Sequence, residues 1–518
     1  MSSEYWRFGD INNCSQQNMW PPAMAQDQGE TVAIDIGDAV LSSVTSNINA
    51  LHRVPMKPES FTIFRVPAHF RQRNTHLYKP RVVSIGPYGR GDRPDLRAME
   101  QHKWRYLHDF LSRNPHNYIK RYIDEVTALE PVARRCYFER VELSTAKFVE
   151  MLLLDGCFIL EFLIKWSQGD VDSVCTAGWS LPLVRGDLLL LENQIPLFVL
   201  EKLFELVTFS MDDEEIPSLM ELLVNYLASR NVERPEDEIV SSNEEAEGIR
   251  DPGRILPGKA EDFHHLLHLY YRCYVPTPQT DPTESTICGT VLKWLKPSKI
   301  FASLLSHLRI KIWGSQAPAY KKRSPNTIPS ATELEEAGVT FKKKGERKKN
   351  NMHSSFLDVA FHDGVLEIPF LSVENSTLSR FTNLVAFEQC SGCKEEEAYM
   401  TSYAMFMDCL IDTPADVAIL HRRGFLENKL ASDEELAVFF NQLSECATID
   451  HEKHYLAGLF RDVRKYCDSR WPKWRAKLVR DYFSNPWAIL SLIAAVVVLI
   501  FTFLQTFYTI FTYYHPRN

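Results

Sequence analysis

LLLLENQIPLFVLEKLF, residues 188–204, runs four leucines into Glu192-Asn193-Gln194 and out again through Ile195-Pro196-Leu197-Phe198. A carboxylate beside two amides in so apolar a stretch is a reaction centre, a binding site, or a device for holding backbone. Pro196 lacks an N–H and disfavours helix at Ile195, so the spacing predicts one helix ending in the leucine run and another starting at the proline. The polar triad then falls at the junction, where helix-end N–H and C=O groups need partners. Flanking leucines bury that junction. Glu192, Asn193, Gln194 and Pro196 are therefore read as structural or partner-contact residues, and no nucleophile or paired base at local spacing points to catalysis.

Working outward, apolar residues recur at helical spacing over DLRAMEQHKWRYLHDFL (95–111), STAKFVEMLLLDGCFILEFLIKW (144–166), SLMELLVNYLAS (218–229) and FHHLLHLYYRCYV. Asp155-Gly156 interrupts the second of these, which reads as a central helix or a helix pair. VVSIGPYG reads as a short strand or extended segment entering a glycine turn. Ser330 with Glu333, and Ser432 with Glu435, have capping-box spacing, and Thr413-Pro414 has the pattern of an N-cap followed by proline at the first helical position. VTFKKK, SFLDVAF and VLEIPFLSV read as the chain's β region, with a turn at His362-Asp363-Gly364.

The expected architecture is mainly α: a leader over 1–58, a large helical domain over 59–484 with excursions at 230–260 and 274–286 and a small β insertion at 339–374, one transmembrane helix at 485–512, and a tail at 513–518. The span is Trp487 to Phe511, WAILSLIAAVVVLIFTFLQTFYTIF, which has no charged residue over a length able to cross a hydrocarbon core of about 30 Å. Arg470, Lys473, Arg475, Lys477 and Arg480 precede it and Arg517 alone follows. That asymmetry assigns the long N-terminal region to the cytosol.

The 518 residues are 45% hydrophobic and 24% charged with a formal charge of -9, which gives no general electrostatic reason to bind nucleic acid. Eleven scattered cysteines read as reduced thiols rather than a disulfide framework. The motifs that suggest chemistry are incomplete. Cys390-Ser-Gly-Cys393 lacks a second ligand pair, His264 and His268 lie one turn apart without the glutamate of HExxH, and His451-Glu452-Lys453-His454 spaces its histidines by three. No metal or cofactor is expected. Gly86-Pro-Tyr-Gly89-Arg-Gly91-Asp92 reads as a turn. The basic runs Lys342–Lys344 and Arg347–Lys349 are solvated loop charges, with acidic lipid or an acidic partner as the sharper alternative. The sequons at Asn13 and Asn375 matter only if the topology is inverted.

RVPAHFR, VVSIGPYGRG, MEQHKWRYL, DLLLLENQIPLFVLEKLF, IPSATELEEAGVTFKKK, LEIPFLSV, FTNLVAFEQC, SYAMFMDCLIDTPADVAILHRRG and DYFSNPWAILSLIAAVVVLIFTFLQTFY, in that order, resemble the plant family called domain of unknown function 247 from about Phe61 to Tyr514. At Tyr88-Gly89-Arg90-Gly91 the chain departs from a family pattern with histidines before the last glycine, so no role of those histidines carries over. The resemblance implies a plant membrane protein with one C-terminal span, favouring the plasma membrane, and no firmly attached activity. Some members are linked to reproductive control, including self-incompatibility. The expected function is a non-enzymatic interaction or signalling protein that contacts membrane lipid and an unidentified protein partner. The alternative is an unrecognised enzyme in which Asp155 or His268 converges on Glu192 and Asn193.

Overall fold

The computed structural model describes residues 40–46, 61–72, 74–90, 93–169, 180–208, 217–228, 262–275, 327–344, 355–392, 398–445, 447–469 and 486–514. The readings of the 230–260 excursion, of the 274–286 excursion from 276 onward, of 347–349, of Cys393 and of 470–485 lie outside these residues. Two compact units divide the chain, Met1–Pro58 and Glu59–Asn518. Within the first, residues 40–46 form an exposed helix. The second unit is mainly helical with small sheets.

Three helices open it: α1 (Arg97–Arg113), α2 (Ile119–Arg135) and α3 (Thr145–Ser167). The Ser144 side chain accepts from the Lys147 N–H and caps α3, and every residue from Phe148 to Trp166 except Glu150 is buried. The sequence left open a helix pair here, and the structure forms one unbroken helix. Asp155 does not break it because its carboxylate is paired, and Gly156 lets Leu203 approach where a Cβ would lie 2.5 Å from the leucine methyl. Three ion pairs stitch α1 to α3: Lys103–Asp155 at 2.7 Å, Arg113–Glu161 at 2.6 Å and Lys165–Asp109 at 2.7 Å. Partner numbers broadly rise together along both helices, so α1 and α3 run in the same direction and pack directly on each other, while α2 packs on α3.

Of the next helices, α4 (Ser180–Leu188), α5 (Leu197–Thr208), α6 (Leu219–Ala228) and α7 (Leu266–Tyr274), α5 and α6 pack on this hub, α7 packs on α6, and α4 packs on the later helix Asn375–Ser391. A short α8 (Ala331–Glu336) begins at the Ser330–Glu333 capping box read from the sequence and leads into the β region. There β1 (Thr340–Lys343) pairs in parallel with β3 (Val365–Ile368), and β2 (Ala360–His362) pairs antiparallel with β3. Asp363-Gly364 closes that hairpin with φ of 50° and 82°, as a two-residue loop matched to strand twist requires.

The β insertion is not self-contained. Strand β4 (Leu371–Val373) pairs in parallel with β5 (Leu426–Asn428), which the sequence did not signal because three residues, LEN, carry no alternation to read. Helices α9 (Asn375–Ser391), α10 (Tyr399–Leu410) and α11 (Pro414–Arg422) separate the two strands. Thr413 caps α11 as expected, in a capping box with Asp416.

The expected cap at α12 (Asp433–Glu445) forms by half. Ser432 accepts from the Glu435 N–H, while the Glu435 carboxylate reaches Ala431 instead of Ser432. After α13 (Ala457–Asp468), α14 (Pro486–Tyr514) contains the sequence's apolar span. Its residues 494–510, 17 in number, are exposed, and among the described residues no helix is long and apolar enough to cross a membrane.

Candidate functional site

Helix α4 stops at Leu188 and α5 starts at Leu197, so the predicted junction lies over 189–196 with Pro196 just ahead of the second helix. The first N–H of α5, on Leu197, donates to the His264 carbonyl at 2.8 Å. The Leu191 N–H donates to Asn383 Oδ1 on α9 at 2.9 Å. Two distant segments thus fix the loop before its polar triad acts.

The triad faces backbone. Asn193, 2% exposed, accepts from the Ile85 N–H at 2.7 Å and donates to the Val83 and Asp187 carbonyls at 3.0 and 2.9 Å. Gln194 donates to the Leu188 and Leu190 carbonyls at 2.7 and 2.8 Å and accepts from the Leu267 N–H at 3.3 Å. Glu192 accepts from the Val66 N–H at 2.7 Å and from Arg71. Its carboxyl is raised by burial, against the Val66 N–H and Arg71, which favour the charged form.

These residues complete a larger device. Residues 81–86 bend at Arg81 and Val82, run without regular structure to Ile85 and turn at Gly86, so the strand that VVSIG offered does not form and the segment joins no sheet. Side chains replace the missing strand partner. Asp187 accepts from the N–H groups of Arg81, Val82 and Val83 at 2.9, 2.6 and 2.9 Å, Asn193 takes Ile85, and Asp155 takes Gly86 at 2.8 Å. Lys103, wholly buried, donates to the Ser84 carbonyl and to Asp155. Each buried backbone group must find a partner or lose about 1–3 kcal/mol, so four side chains here do the work of a neighbouring strand. Gly86 turns the segment away at φ 71°, where an added Cβ would stand 2.4 Å from the Gln194 carbonyl oxygen.

The titratable groups around this centre are shifted chiefly by burial. Asp187 is pushed up to about 6, against the three N–H groups that favour its ionised form. Glu388, which caps the start of α10 through the Met400 and Thr401 N–H groups, is pushed up to about 7. Burial carries His268 down to about 3 and His265 well below the ordinary imidazole value. His265 joins the Thr62 carbonyl at 2.9 Å, and the rings of His264 and His268 stack 4.7 Å apart.

The convergence required by the enzymatic alternative is therefore on a backbone segment. Asp155 reaches the residue beside Asn193's Ile85, whereas no hydrogen bond among the described residues joins Asp155 or His268 to Glu192 or Asn193. No group of three potential metal ligands occurs among the described residues. Sequence reading missed Asp187 and Lys103. The signal for Lys103 was available: it lies four residues from both Met99 and Leu107, on the apolar face of α1.

Residues 63–501 match the model of a family described as plant protein of unknown function, domain of unknown function 247. A UPF0481 protein of Arabidopsis thaliana is 30% identical over 471 residues, covering 89% of this chain and 88% of its own. A putative UPF0481 protein of the same organism is 24% identical over 510 residues, covering 87% and 90%. No solved structure matches the chain.

Proposed function

The chain belongs to the plant family of domain of unknown function 247, and from that premise we propose that it is a membrane-anchored interaction or signalling protein without catalysis of its own. The observation that carries this reading is the use made of the polar centre. Among the described residues the side-chain amides of Asn193 and Gln194 bond only to backbone groups, so these amides build the fold, and contact with a partner is left to the surface.

The proposed anchor is α14: the 17 exposed residues 494–510 fall short of a span by themselves, and the reading rests on the whole helix Pro486–Tyr514. Three of its hydroxyls support it, since Thr502, Thr506 and Thr509 each donate to the carbonyl four residues earlier at 2.8 Å, which suits a helix surrounded by hydrocarbon. The basic residues between 470 and 480 favour a cytosolic domain, and the plasma membrane is the proposed site. The family resemblance adds reproductive recognition, self-incompatibility among it, as the setting.

Proximity labelling in plant tissue tests the proposal, using the full chain and a chain lacking 486–514. Span-dependent labelling of plasma-membrane proteins is expected. Release of the full chain from membranes by alkaline carbonate, or identical labelling without the span, would overturn it. A glycosidase-sensitive mass shift that vanishes in Asn375→Gln would reverse the topology.

A further inference from the structure

Beside the extended Phe61–Val66 segment lies a groove of about 600 Å³ whose walls include Arg65, Arg71, Gln72, Thr75, Phe138 and Glu139. We propose that this groove docks a peptide segment of a protein partner through a carboxylate side chain and a neighbouring apolar one. The inference rests on the interaction reading above and names the partner's chemistry.

Donor accounting is the first argument. A guanidinium carries five N–H donors. Arg65 uses its Nε on Glu139 at 2.8 Å, and Arg71 uses one terminal nitrogen on Glu192. The remaining donors of both have no protein acceptor among the described residues, and they flank one concavity. Two guanidiniums beside two carboxylates form a locally balanced site. A singly charged carboxylate, held bidentately, suits that balance better than a phosphate dianion, which would add a second negative charge against Glu139 and Glu192.

The apolar wall is the second argument. Phe138 is 58% exposed, with Phe61 edge-on at 5.5 Å and Phe64 at 5.8 Å. Exposed aromatics beside arginines are the composition of interface anchors rather than of solvated surface. The Gln72 side chain has no hydrogen-bond partner among the described residues, and its amide offers the donor and acceptor that one peptide unit needs.

The test uses the full chain in lipid nanodiscs and a dye-labelled nonapeptide of alternating Glu and Leu, read by fluorescence anisotropy. Its Gln and phosphoserine counterparts serve as comparison arms. Expected are saturable binding of the Glu peptide, binding at least about tenfold weaker for the Gln peptide, and loss of binding in Arg65→Gln/Phe138→Ser with an unchanged unfolding midpoint. Arg71 is spared because it also holds Glu192. Absence of Glu-peptide binding, equal binding of the Gln peptide, tighter binding of the phosphoserine peptide, or undiminished binding by the variant would overturn the assignment. A Phe138-dependent dimer in light scattering would give the groove to a second copy of this chain, and would overturn it too. If the peptides fail while span-dependent labelling persists, the groove assignment falls and the interaction reading stands.

Discussion

Asn193→Ala should destabilise the protein by roughly 3–5 kcal/mol, because it strands two buried backbone groups at once and leaves a cavity beside them. The Ile85 N–H loses its acceptor and the Val83 carbonyl its donor, while the Asp187 carbonyl keeps the Leu190 N–H at 3.3 Å. A stranded buried donor costs about 1–3 kcal/mol, carbonyls with a second lone pair somewhat less, and the vacated side-chain volume adds a cavity term. Urea titration of the full chain in detergent, followed by tryptophan fluorescence, measures the loss. With a slope of about 3 kcal/mol per molar, the midpoint should fall by roughly 1–1.7 M. Asn193→Asp preserves the shape but removes both amide donors and aims a carboxylate at two carbonyls. It should be at least as damaging at neutral pH and partly recover in acid, where the new carboxyl is neutral. A midpoint for Asn193→Ala within about 0.5 kcal/mol of the parent would refute the claim that Asn193 substitutes for a strand partner.

Three further outcomes follow from the same geometry. Gly86→Ala should cost roughly 3 kcal/mol or more in the same titration, since it adds a contact at 2.4 Å to a φ of 71°; Gly424→Ala, at φ 75° with nothing within 4 Å, should lose only about 1 kcal/mol. Lys103→Met should cost about 3–5 kcal/mol by leaving Asp155 buried with Arg90 as its remaining cation, and a neutral result would remove the buried pair from the account. His454 is buried with neither ring nitrogen bonded, and burial lowers it to about 4. Its folded value lies below its unfolded one, so the stability linked to its neutral form is present above about 6.5 and lost as pH falls towards 4. His454→Phe should therefore reduce the loss of stability between pH 7 and pH 5 by about 2 kcal/mol, and an unchanged difference by paired denaturation curves would contradict the assignment. Asp187 and Glu388 have raised values and act in the opposite sense, so the comparison must be between variants and not read from one pH profile.

Local signals were legible where the answer was local. Helical periodicity located α1, α3, α6 and α7, the Ser330–Glu333 spacing gave a full capping box, and Pro196 marked the break between α4 and α5. What sequence could not supply was the identity of distant partners. Glu192, Asn193 and Gln194 were expected to serve helix ends, and Gln194 does so at Leu188 and Asn193 at Asp187, but Asn193 also reaches across to Ile85 and Glu192 to Val66. No local pattern specifies a hydrogen bond spanning more than a hundred residues. The pairing of β4 with β5 was hidden for the same reason, since each strand is three residues long and the partner lies beyond three helices.

Helix α3 has a consequence for how the chain is made. Its 23 residues are apolar around nearly the whole circumference, so until α5 and the later helices have been made and cover it this segment exposes a surface that would associate with other chains. Asp155, near its middle, places a charge in that surface. In the finished fold the same carboxylate is neutralised by Lys103 and Arg90. One side chain thus guards against aggregation while the chain is open and fastens the interior once it has closed, and neutralising it would weaken both.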